Sequence, residues 1–160
     1  MTPLFGIVGR KNAGKTMLVV RLVQLLTERG HRVSTIKHAH HSVRIDVPGT
    51  DSFRHREAGA TEVALVSAGR WALMRELRDE PEPTLSEIAA RLSAADIVLV
   101  EGFKREPHPK IEVRRGGEPL TREECSNVTA VAEPGGSLDL DDVEAIADLV
   151  EQTLGFGPRP

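Results

Sequence analysis

Tyrosine is absent from this 160-residue chain, and one Trp and four Phe are its whole aromatic content. A platform for stacking the bases of a single-stranded nucleic acid is therefore poorly supplied. Cysteine is nearly absent too. Cys125 stands alone, which excludes an internal disulfide and a metal cluster held by thiolates. Neither sign of charge dominates, and a net charge of −3 offers no non-specific pull toward nucleic acid or a membrane surface. No apolar run approaches the ~20 residues of a membrane-spanning helix, and the chain enters a strand-like run at Leu4 without signal-peptide layout. The expectation is a soluble cytoplasmic protein with no nucleic-acid or membrane partner. The length suits one domain over 1–160, with a frayed tail from about 155.

What is present begins at Leu4. An apolar run ends at Gly9, and Gly9-Arg10-Lys11-Asn12-Ala13-Gly14-Lys15-Thr16 spells G-x-x-x-x-G-K-T, followed by a helical stretch from Met17. Strand, glycine loop and helix in that order are the context of a phosphate-binding loop. Gly9 and Gly14 allow the tight turn that aims backbone N–H groups inward. The helix opening at Lys15 adds the positive end of its dipole. Lys15 is suited to bridge β- and γ-phosphates, and the Thr16 hydroxyl to ligate Mg²⁺. The nucleotide-binding set is thus Gly9 to Met17, with Lys15 also catalytic.

Gly30 stops the first helix, and Arg32 to Lys37 alternates as a second strand. The polar stretch 38–50 is a long loop of the kind that carries function. Thr50 or Asp51 caps a short helix ended by Gly59. Glu62 to Ser67 is a strand, and Arg70 to Arg75 is another, with a helix as the alternative. Thr84 caps a helix through about Leu92, with Glu87 in the capping-box position. Asp96 to Glu101 reads as a central parallel strand, Lys110 to Arg114 as an edge strand and Val128 to Ala132 as the last strand. Asp141 or Asp142 opens the closing helix. Alternating helices and strands predict an α/β fold: a mostly parallel sheet with helices on both faces, three layers in the P-loop NTPase manner.

In such sheets ligands bind beyond the C-terminal strand ends. A strand rises about 3.3 Å per residue, which puts Asp96 and Glu101 on the order of 15 Å apart at opposite edges. Glu101 is therefore the candidate to contact Mg²⁺ through water or to polarise an attacking water, and Asp96 a strand-start or capping residue. Lys37 and His38 reach the same edge as candidate phosphate contacts. His40 and His41 follow, but their spacing fits no common zinc motif. Asp46 and Asp51 bracket Pro48-Gly49, and Asp46 is a further candidate for the Mg²⁺ site. No Asn-Lys-x-Asp string is present to read guanine. Guanine or adenine stays open, with the turn after Ala132 as a candidate base contact. No glutamine is placed as in Ras-type enzymes, and hydrolysis is expected to be slow.

These strings, together with Thr35-Ile36-Lys37-His38-Ala39-His40-His41, Asp46-x-Pro48-Gly49-x-Asp51-Ser52, Ala58-Gly59-Ala60, Arg70-Trp71-Ala72-Leu73-Met74 and Leu99-Val100-Glu101-Gly102-Phe103-Lys104, occur in an order that resembles the molybdopterin-guanine dinucleotide biosynthesis protein B (MobB) family. The resemblance covers nearly the whole chain and weakens after about residue 120. It implies a homodimeric, GTP- and Mg²⁺-dependent protein with weak GTPase activity. Such a protein assists the separate enzyme that attaches GMP to molybdopterin, or delivers the cofactor to molybdoenzyme apoproteins or their chaperones. It also implies kinship with MinD-like ATPases. Many of these carry a lysine that reaches across a dimer, five residues before the loop's conserved lysine. Arg10 holds that position here, with Lys11 beside it. Two competing readings are a small-molecule kinase or ATP-dependent ligase, and a metal-insertion chaperone using His38, His40 and His41.

Overall fold

The computed structural model describes residues 2–39 and 45–156. The expectations for His40 and His41 fall outside that range. In chain order the elements are β1 (Leu4–Gly9), α1 (Lys15–Glu28), β2 (Val33–Lys37), α2 (Asp51–Glu57), β3 (Glu62–Val66), β4 (Trp71–Arg75), α3 (Leu85–Arg91), β5 (Ile97–Glu101), β6 (Lys110–Val113), β7 (Val128–Ala132) and α4 (Val143–Leu154). They sort into two compact units, one from the described residues of 1–38 and 84–160, the other from those of 39–83.

The first unit is built on an all-parallel sheet of order β2-β5-β1-β6-β7. Side-chain alternation along β5 shows how it is covered. Ile97 and Leu99 join Phe5, Ile7, Ile111 and Val113 in a core sealed by α1 and α4. Val98 and Val100 point the other way, into a smaller core with Ile36 and Leu85 of the α3 stretch. Both faces are covered, so every residue of β5 is buried. The apolar run demanded this. α1 buries Leu18, Val19, Leu22 and Leu26, and α4 buries Val143, Ile146, Ala147 and Val150, each one stripe of a helix. The expected α/β fold with a mostly parallel sheet is what the chain adopts.

One expectation needs correction. Lys110–Val113 is not an edge strand: it lies between β1 and β7, and all four residues are buried. Its charges are satisfied inside. Lys110 Nζ donates to the carbonyls of Glu106 at 2.5 Å and His108 at 2.8 Å. Glu112 accepts from the Leu120 N–H at 2.8 Å and from Arg114 at 2.9 Å. The connections flanking β6 fold over its polar face, and alternation alone does not distinguish that cover from water. Of the tail expected to fray from about 155, residues 157–160 lie outside the described residues. Gly155 takes the left-handed conformation (φ 78°) that closes α4, the Phe156 N–H donates to the Glu151 carbonyl at 2.8 Å, and the Phe156 ring packs edge-on to His31.

The second unit pairs α2 with the antiparallel hairpin β3-β4. Ala68 and Gly69 form its two-residue turn, closed by the Ser67 N–H donating to the Arg70 carbonyl at 2.9 Å. The stretch after the turn is thus a strand, over Trp71–Arg75. Thr50, rather than Asp51, caps α2.

Candidate functional site

β1 runs straight into the glycine loop because its buried residues anchor it between β5 and β6. At the turn Gly9 has φ 153°, and a Cβ there would meet the Val113 carbonyl oxygen at 2.4 Å. Only glycine lets the loop lie this close to β6. Asn12 (φ 62°) and Gly14 (φ 98°) carry the remaining positive φ values of the loop. Ala13 is buried, and its N–H donates to the Arg10 carbonyl at 3.3 Å. Gly14 is also the N-cap of α1, and no side chain caps that helix. The first N–H groups of a helix have no partner within it, so this end is left open to an outside acceptor. That is the feature a phosphate requires.

Around the opening four side chains converge. Lys15 folds back, its Nζ donating to the Arg10 carbonyl at 2.7 Å. The Thr16 hydroxyl donates toward the Glu101 carboxylate, 3.0 Å from Oε1 and 3.2 Å from Oε2. Lys37 Nζ lies 3.3 Å from Thr16 Oγ1 and 3.3 Å from Glu101 Oε1. Lys37 and Glu101 are register partners at the ends of neighbouring parallel strands, and so they meet. Desolvation holds the Lys15 ammonium below its usual pKa, and the charges of Lys104 and Lys37 act in the same direction against the opposing pull of Glu101. Lys37 thus pairs with the Glu101 carboxylate, and the charges of Lys37 and Lys104 both bear on Lys15. The site suits a polyanion with a cation at Thr16 and Glu101.

The structure brings Lys15, Thr16, Lys37 and Glu101 into one network. His38 stands beside it: its N–H donates to the Glu101 carbonyl at 2.8 Å, and its ring stacks on Phe103 with centroids 4.5 Å apart. Gly102 permits this, since a Cβ there would lie 2.9 Å from the His38 Cβ. Lys11, Asn12 and Met17 are exposed at the loop and first helical turn. Arg10 is otherwise engaged. Its guanidinium donates to Glu124, at 2.8 Å from Nη2, and to the Pro119 carbonyl, at 3.3 Å. Asp96 behaves as the start of its strand, accepting from the Arg32 N–H at 2.7 Å. Asp46 belongs to the second unit, where Arg56 Nε donates to its carboxylate at 3.3 Å. Among the described residues no group of three or more His, Cys, Asp or Glu side chains is arranged to hold a metal.

Sequence reasoning missed three residues. Lys104 acts on Lys15, Glu124 ties down Arg10, and the Arg115 guanidinium lies 3.9 Å from where a Gly14 Cβ would be. Lys104 stands inside the Leu99–Lys104 string and was legible there. Glu124 and Arg115 carry no local signal, because only the fold of 114–127 brings them to the loop.

Against known proteins, residues 4–134 match the family model described as Molybdopterin guanine dinucleotide synthesis protein B. The chain is similar to the molybdopterin-guanine dinucleotide biosynthesis adapter protein of Escherichia coli, 41% identical over 96% of this chain and 94% of that one. The Haemophilus influenzae protein of the same description is 40% identical over 95% of this chain and 89% of its own. Among solved structures, Bacillus subtilis MobB superposes with a TM-score of 0.72 at 27% identity, over 95% of this chain and 98% of that one.

Proposed function

The chain belongs to the molybdopterin guanine dinucleotide synthesis protein B family, and from that premise we propose that it is an adapter of molybdopterin guanine dinucleotide biosynthesis that binds GTP with Mg²⁺ and hydrolyses it slowly. The observation that carries the nucleotide reading is the convergence of Lys15, Thr16, Lys37 and Glu101 at an uncapped helix N-terminus. The N–H groups of 14–17 and the Lys15 ammonium would receive the phosphates. Thr16 and Glu101 would hold Mg²⁺, which supplies charge neutralisation to the phosphoryl oxygens when bound. Lys37, His38 and Lys104 add positive or polar character to the same rim.

The residues around the loop support slow turnover. Glu101 is drawn to Thr16 and Lys37, and Arg10, the position of the cross-dimer lysine in MinD-like relatives, is bound within its own chain by Glu124. Asp46, bound to Arg56, is not needed for this reading. The partners are a second copy, the GMP-transferring enzyme and its molybdopterin substrate, and the cell compartment is the cytoplasm. A homodimer is supported by the face of the β3-β4 hairpin that exposes Val66, Trp71 and Leu73 together. An isolated hairpin of this kind is marginal in water and gains from a cover.

Calorimetric titration with GTP and ATP, with and without Mg²⁺, tests the reading on the parent chain and Lys15→Ala. GTP preference lost in the variant is the expected result. ATP preference would move the assignment to a kinase or ligase, and parent binding unaffected by Lys15→Ala would reject the loop as the phosphate site.

A further inference from the structure

We infer that Lys37 is the resident cation of this site: its ammonium pairs with Glu101 beside Thr16, and a divalent ion bound to those two oxygens must displace it. The inference rests on the nucleotide reading above and assigns to Lys37 a role beyond phosphate contact. The two oxygens suited to Mg²⁺ are Thr16 Oγ1 and a Glu101 carboxylate oxygen, and Lys37 Nζ lies 3.3 Å from both Thr16 Oγ1 and Glu101 Oε1. Mg²⁺ binds oxygen at about 2.0–2.1 Å, so an ammonium and the ion cannot share that pair.

The environment gives the ammonium a reason to be there. The Glu101 side chain is only 10% exposed, and a carboxylate so withdrawn from water is costly without a counter-charge. Lys15 does not supply one directly, because its ammonium is turned onto the Arg10 carbonyl. Among the described residues Lys37 is the ion-pair partner of Glu101. The Lys37 side chain is also 58% exposed, so it is held at its tip and can swing aside. Neutralised in this way, Glu101 does not repel an incoming polyphosphate. When a divalent ion takes over the carboxylate, Lys37 is released at the rim where the phosphates lie. Cation exchange at Glu101 thereby couples metal binding to nucleotide binding.

The test titrates Mn²⁺ alone into the nucleotide-free full chain, read by the loss of its free-ion paramagnetic resonance signal. Lys37→Met is expected to bind Mn²⁺ about tenfold tighter than the parent, a coupling of ordinary size for linked sites. Lys37→Arg, which keeps the charge, should bind as the parent does, and adding Glu101→Gln to Lys37→Met should abolish the gain. In a second arm without divalent ion, Lys37→Met should weaken GTP binding, because the carboxylate then faces the phosphates bare. A folded Lys37→Met with parental Mn²⁺ affinity overturns the inference, as does an equal gain in Lys37→Arg. If Lys37→Met does not fold, Lys37→Gln is titrated instead and judged the same way. The Mn²⁺ arm needs no nucleotide: a parent that binds no GTP would reject the nucleotide reading, and the Mn²⁺ titrations would still decide the role of Lys37.

Discussion

His108 illustrates how one side chain is constrained from several directions. A Cβ on Gly6 would meet its Nε2 at 2.6 Å and the Lys110 Cβ at 2.7 Å, so β1 carries glycine where the ring crosses it. The ring is buried, and among the described residues both of its nitrogens lack a hydrogen-bond partner. Burial first, and the Lys110 charge second, push its pKa down to about 4. The folded chain therefore favours the neutral imidazole, while the unfolded chain titrates near 6.5. Between those values the unfolded state binds the extra proton, so this contribution is complete above about pH 6.5 and is lost as pH falls toward 4. The loss should be on the order of 2 kcal/mol. Urea unfolding from pH 7 to 4.5 should show it, and His108→Leu should flatten the slope. An unchanged slope in that variant would assign the acid sensitivity to another group. Glu124 answers in a lower window: the Arg10 guanidinium, then the Thr121 N–H, hold its carboxyl at about 2. Its contribution is present above the ordinary carboxyl range and disappears only as pH falls through about 2.

At the scale of elements, the short helix α3 depends on its start. Thr84 accepts from the Glu87 N–H, and the Glu87 carboxylate accepts from the Thr84 N–H at 2.8 Å, a complete capping box for seven helical residues. Thr84→Ala should cost about 1 kcal/mol, measured by denaturant unfolding at pH 7. A loss within the error of the midpoint would mean that Leu85, buried against Val98 and Val100, holds the helix unaided. This capping box was legible in four letters, as were β5 from its apolar run and α1 from the stripe of Leu18, Leu22 and Leu26. β6 was not. Lys-Ile-Glu-Val has the same alternation whether its polar face meets water or a folded connection, and here it meets the backbone of Glu106, His108 and Leu120.

For the molecule as a whole, the exposed hairpin is the feature to test. Val66 and Trp71 face each other across β3 and β4, with Leu73 on the same side, and all three are exposed. On the proposed homodimer reading, Trp71→Asp combined with Leu73→Lys should shift sedimentation from dimer to monomer while the thermal unfolding signal of the chain persists. A dimer that survives both changes would place the interface elsewhere. The same hairpin has Val63 opposite Met74 as its buried pair, so its two faces are chemically distinct and the substitutions act on one of them.

By itself the sequence determined the glycine loop, the helix that follows it and the edge on which Glu101 stands. These depend on local rules: glycine's backbone freedom, helix capping, and the rise of about 3.3 Å per residue that puts Asp96 and Glu101 at opposite ends of one strand. Only the tertiary structure decided who meets whom there. Lys37 pairs with Glu101 because β2 and β5 are neighbours in register. Arg10 turns to Glu124, and Arg115 comes beside Gly14, because the connection after β6 folds back over the loop. Such contacts join residues far apart in the chain, 114 positions in the case of Arg10 and Glu124. No local pattern encodes them, since they exist only once the sheet order has been chosen by packing.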